Sequence, residues 1–139
     1  MHTSRITTGA LGGLALALLT TFAQAAGNDI VIGQTIALTG GLAEHGRAVQ
    51  LGARAYLDKV NAAGGVHGRR IRVIRTDNAN KPDRTKENVK NLVEKEGVFA
   101  MWGISGTGNV GVALPYLEER QVPLVGSTSG ADPFYTKRH

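Results

Sequence analysis

The chain has 139 residues, of which 42% are hydrophobic and 19% charged, with a formal charge of +5, four histidines and no cysteine. Disulfides, thiolate metal sites and thiol nucleophiles are thereby excluded. The basic residues are scattered rather than gathered with aromatics into an arm or stripe, so nucleic acid is not the expected partner.

Residues 1–25 read as a cleavable signal peptide. Arg5 precedes an Ala/Leu-rich run from Gly9 to Phe22, and Ala23-Gln24-Ala25 then offers small residues at the two positions a signal peptidase reads. The run is too short and too often broken by glycine for a membrane span, which takes ~20 continuous apolar residues. Without a cysteine there is no lipoprotein anchor either. Residues 26–139 remain as one exported domain, long enough to bury roughly two-thirds of its unfolded surface.

From Asp29 onward, strand-like and helix-like segments alternate, the pattern of an α/β sheet with crossover helices. "IVIGQTIAL" (30–38) is a β-branched run that reads as a central strand buried on both faces. The glycine-rich loop "TGGLAEHG" leads into a helix from about Ala43 to Ala63, with Val49, Ala53, Tyr56 and Val60 on one face and Gly64-Gly65 as its stop. "RRIRVIRTDN" (69–78) sets Arg70, Arg72 and Arg75 against Ile71, Val73 and Ile74, which predicts an edge strand with one charged, solvated face. His67, in the glycine-rich turn before it, reads as a solvated surface residue.

"KPDRTKENVKNLVEKEG" predicts an amphipathic helix with Pro82 at its first position, Val89, Leu92 and Val93 on its apolar side and Gly97 as its stop. "VFAMWGI" (98–104) is the third strand, "GNVGVALPYLEER" the third helix and "VPLVGS" (122–127) the fourth strand. Pro115 is expected to kink or restart the third helix. The chain closes on "TSGADPFYTKRH", and no internal repeat or low-complexity linker interrupts it.

The sharpest local signal is Gly106-Thr107-Gly108-Asn109-Val110-Gly111, a literal G-x-G-x-x-G between the third strand and third helix. As a dinucleotide fingerprint it is misplaced, because that motif follows the first strand of its unit and takes an acid at the tip of the next. Here the next strand ends in Gly126-Ser127-Thr128-Ser129; Glu118 and Glu119 fall inside the helix, and Asp132 lies beyond the loop. An exported protein also meets little nicotinamide cofactor. No cofactor is expected. The glycines could simply let strand and helix pack closely. A third reading keeps the motif's physics and changes the ligand: amides at a helix N-terminus favour negative charge, and a carboxylate suits them as well as a phosphate. Ser105 and Thr107 add hydroxyls, and Ser127, Thr128 and Ser129 offer a second set on what should be a neighbouring strand. Ligands of open α/β sheets lie outside the carboxyl ends of the strands, so loops 38–46, 103–109 and 126–130 would converge on a small polar solute.

An enzyme finds little support. "GSTSG" imitates a nucleophile elbow with Thr128 in the serine position, but it needs a histidine base oriented by an acid, and the candidates are only His45 and His139. The four histidines have no metal-ligand spacing.

These residues resemble a known family. "IVIGQTIALTGGLAEHGRAVQLGARAYLDKVNAAGGVHGRRIRVIRTDN", the helix opened by "KP", and "GISGTGNVGVALPYLEERQVPLVGSTSGADPF" are similar to the N-terminal part of type I periplasmic solute-binding proteins of ABC transporters, the leucine-binding class with its amide- and aromatic-acid-binding relatives. The run "NAAGGVHGRRI" followed by "DN" is the most specific part. The resemblance implies a three-layer, Rossmann-like lobe with a mostly parallel sheet, one of two lobes that close on a solute and deliver it to an ABC permease in the inner membrane. It implies ligand contacts at Ser105, Gly106, Thr107 and Gly108 on one loop and Ser127, Thr128 and Ser129 on another. His45, before Gly46, stands where the family often places an aromatic cover. It also implies a periplasmic location and a longer molecule: residues 26–139 would be the N-terminal part of the first lobe, truncated, with the second lobe absent and apolar sheet edges left uncovered. The alternatives are an extracellular sensor domain of the same fold and a nucleotide-dependent α/β enzyme.

Overall fold

The computed structural model describes residues 29–132 and Phe134; the signal peptide read at residues 1–25 and the terminal His139 lie outside the described residues. Seven elements follow in chain order: β1 (Ile30–Ile36), α1 (Ala43–Ala62), β2 (Ile71–Asp77), α2 (Pro82–Glu94), β3 (Ala100–Trp102), α3 (Thr107–Glu119) and β4 (Leu124–Val125). The strands form one parallel sheet in the order β2-β1-β3-β4, so β1 is interior and β2 is an edge, as the sequence predicts. Its register pairs Ile30 with Ile71 through Ile36 with Asp77, then Gly33 with Met101 and Met101 with Leu124.

Alternation along the strands divides the core between two faces. α2 and α3 cover one of them. Val89, Leu92, Val98, Met101, Ile104, Val110, Ala113 and Leu117 are buried there, with Val31, Ile74 and Leu124 packed against them. α1 lies over the other face, where Ile32, Val73 and Trp102 from the strands and Ala53, Tyr56 and Leu57 from the helix line an apolar cavity of about 180 Å³. Burial on this side is thinner: Ile32 and Trp102 are only half-buried, and Val125 is exposed. At Gly33 an added Cβ would lie 2.6 Å from Met101 Sδ and 3.2 Å from Val98, so the missing side chain lets the core of the α2–α3 side close over β1.

Four sequence expectations change. Tyr56 is not buried on the inner face of α1; it borders the cavity beneath the helix but is 69% exposed, and the half-buried row is Val49, Ala53, Leu57 and Val60. The helical period carries the seam from position 53 to position 57, one residue past the tyrosine. The arginines of β2 do not share one solvated face either. Arg72 is exposed and faces Asp29 at 3.7 Å, while Arg75, an odd number of residues away, is half-buried and donates from Nε to Gln34 Oε1 at 3.2 Å. Pro115 does not restart α3, which runs unbroken from Thr107 to Glu119. Proline forfeits one helical bond, but Val110, Ala113 and Leu117 are buried on both sides of it and hold the two halves against the same core. The strands are also shorter than read, as at β1, where the Leu38 and Thr39 amides leave the ladder for the Asp77 carboxylate.

Candidate functional site

The carboxyl ends of the strands carry the polar loops. At the exit of β1, Asp77 gathers four donors: the amides of Leu38 (2.8 Å), Thr39 (3.3 Å) and Ala79 (2.9 Å) to Oδ1, and the Thr39 hydroxyl to Oδ2 (2.6 Å). The Thr39 hydroxyl foremost, then the Leu38 amide, hold the carboxyl at about 2, below its ordinary 3.8, against a smaller opposing effect of burial. A folded-state pKa below the unfolded one gives stability that is complete above the unfolded value and lost as pH falls through the folded value. Urea unfolding midpoints are therefore expected to drop between about pH 4 and pH 2. Asp77→Asn should flatten part of that drop and cost about 1 kcal/mol at neutral pH, a figure reduced because the site is open to solvent. An unchanged pH profile in the variant would remove Asp77 as its source.

Behind this exit lies a buried network of amides and hydroxyls. Asn78 Nδ2 donates to Thr85 Oγ1 (3.0 Å), Thr85 Oγ1 donates to Asn109 Oδ1 (3.1 Å), and Asn109 Nδ2 donates to both Asn80 Oδ1 (2.9 Å) and the Ser105 carbonyl (2.7 Å). Asn78, Thr85 and Asn109 are buried, so each bond replaces one that water can no longer make. The network joins the turn after β2 to α2 and to the first turn of α3. It also packs against Gly106, whose φ of +96° favours glycine and where an added Cβ would crowd Asn109 Nδ2 at 3.1 Å.

On that footing the β3 and β4 loops continue the ladder beyond their strands. Ser105 and Thr128 form a parallel bridge, Gly106 N donates to the Thr128 carbonyl (2.8 Å) and Thr128 N to the Ile104 carbonyl (3.0 Å). This sets Thr107 Oγ1 3.1 Å from Ser129 Oγ, both groups on the exposed rim. Thr107 is also the first residue of α3, so its amide and that of Gly108 belong to the turn that has no intrahelical acceptor. From the first loop, His45 Nε2 comes to 3.4 Å from Ser105 Oγ. Of the residues singled out in the sequence, His45, Ser105, Gly106, Thr107, Thr128 and Ser129 are thus linked by direct contacts, and Gly108 follows on α3. Ser127 faces elsewhere: it is half-buried in the groove lined by Val110, Leu114 and Phe134.

The supporting residues escape a motif search. Asn109 stands inside the glycine motif and Asn78 and Asn80 flank Ala79 before "KP", but an asparagine in a loop has the same appearance whether exposed or buried. Among the described residues no three His, Asp or Glu side chains gather as a metal would require.

Residues 29–139 match the family model described as periplasmic binding protein. The chain belongs to that family. A Leu/Ile/Val-binding protein homolog 1 from Brucella abortus (strain 2308) is 32% identical over 130 residues, covering 91% of this chain and 33% of the relative. Among solved structures, the branched-chain amino acid transporter substrate-binding protein LivJ from Streptococcus pneumoniae, in complex with isoleucine, is 33% identical with a TM-score of 0.71 over 76% of this chain and 30% of that one. A solute-binding protein of an ABC transporter from Rhodopseudomonas palustris BisB5, in complex with 3,4-dihydroxybenzoic acid, is 27% identical with a TM-score of 0.65, covering 71% and 27%. The chain spans about a third of the length of the curated relatives it matches. These relatives of the periplasmic binding protein family bind solutes and are not enzymes, and the family shares the parallel, three-layer lobe described above.

Proposed function

We propose that the chain is the N-terminal part of the first lobe of a periplasmic solute-binding protein, exported by the leader at residues 1–25, that takes an amino acid of the branched-chain type or a related small carboxylate for delivery to an ABC permease of the inner membrane. The observation that carries this reading is the pairing of Thr107 and Ser129 across two loops at the start of α3. Two hydroxyls and the first amides of a helix form a neutral, donor-rich rim, which suits a carboxylate better than a cation. Isoleucine and 3,4-dihydroxybenzoic acid, bound by two of the solved relatives, both carry that group. Nothing in such a rim activates a bond, which agrees with binding rather than catalysis.

Calorimetric titration of the full chain with leucine, isoleucine and 3,4-dihydroxybenzoate tests the reading. One of these acids is expected to bind, and Thr107→Ala to weaken it at least about tenfold, the loss of one hydrogen bond to a charged group. Unchanged affinity in the variant would exclude the clamp. No heat from a folded chain with any of the acids would overturn the solute class.

A further inference from the structure

α1 and β2 leave a groove of about 230 Å³ lined by Arg47, Gln50, Leu51, Arg54 and Arg75, none of which belongs to the solute clamp. Three of the five are guanidinium groups, and no carboxylate of the described residues lines it. Glu44 and Asp58 pair with Arg47 and Arg54 along the helix surface, but their side chains are 88% and 68% exposed and compensate the positive charge through water. Arg75 enters from the strand side. Its Nε donates to Gln34 Oε1, a neutral acceptor, and burial first, then the neighbouring charge of Arg54, lower its pKa. The first effect reflects partial burial of the guanidinium and the second the closeness of a like charge.

A second, independent sign comes from Gln50. Its Nε2 is buried and has no acceptor among the described residues, an orphaned donor of a kind that native structures rarely keep. The groove therefore presents donors from both α1 and β2 with the net charge of a cation; the acceptors its guanidinium groups do meet are Gln34 Oε1, the Leu38 carbonyl and the exposed carboxylates of Glu44 and Asp58, which leave further N–H groups over. Guanidinium forks match the oxygen spacing of a tetrahedral oxyanion and bind it in bidentate fashion.

We propose that this groove is a binding site for a small inorganic oxyanion of the phosphate or sulfate class, with Arg75 and Gln50 meeting it from the floor and Arg47 and Arg54 at the rim. It does not depend on the solute clamp being correctly assigned. The test follows the side-chain amide resonances of Gln50 in the full chain while phosphate, sulfate or chloride is added at matched ionic strength. Phosphate and sulfate are expected to move them saturably in the millimolar range, and chloride is not. Arg75→Gln should abolish the saturable shift. Arg54→Gln, at a side chain 77% exposed and so harmless to folding, should weaken it about threefold. An equal response to chloride would reduce the effect to charge screening, and an undiminished shift in both variants would place the anion elsewhere; either result overturns the site.

Discussion

Gly46→Ala is expected to destabilise the chain by about 3 kcal/mol, the upper range for overpacking. Gly46 lies in the first turn of α1 and is buried against the backbone that leaves β1, where an added Cβ would overlap the Ala37 carbonyl oxygen and crowd its carbon. A flexible side chain could swing away, but a carbonyl held between a strand and its exit loop cannot. The helix would have to lift from the sheet, taking His45 away from Ser105. Gly52→Ala provides the control. Gly52 sits in the same helix with nothing within 4 Å of an added Cβ, so alanine there should stabilise by about 0.5–1 kcal/mol through helix propensity alone. Urea unfolding of the two variants separates the effects. Equal responses would mean that α1 does not rest on the Ala37 backbone.

Asn109→Ala should cost about 3 kcal/mol, because it strands several partners at once. The side chain accepts from Thr85 and donates to Asn80 and to the Ser105 carbonyl, all in a buried or half-buried setting. Asn109→Asp keeps the volume and the acceptor facing Thr85 but turns the donor into an acceptor opposite two oxygens. It should be destabilised at least as much as the alanine variant. A measured loss below about 1 kcal/mol for both would mean that the network closes without Asn109.

The order of elements, the interior place of β1 and the edge place of β2 were legible because they rest on local chemistry: β-branched runs, proline at a helix start, glycine at helix stops. What escaped was orientation. Tyr56 and Leu57 are neighbours with similar apolar weight, and only the placement of α1 over Ile32 and Val73 decides which of them is the better buried. Arg75 read as one more solvated charge, because its partner Gln34 lies 41 residues away on another strand. The contact of Thr107 with Ser129 could be anticipated, since both loops leave neighbouring strand ends. The asparagine network beneath it could not, because its bonds join residues that are close only after α2 and α3 have packed.

The bridge between Ser105 and Thr128 bears on how such a rim can change over generations. Ser105 and Thr128 extend the β3–β4 ladder, so the residues beside the bridge are placed by strand register, and Thr107 opens α3 two residues after it. Inserting or deleting one residue would turn the following side chains to the opposite face. An exchange of side chain at position 107 or 129 would alter the donors of the rim and keep the ladder, whereas a change of loop length would break the ladder first.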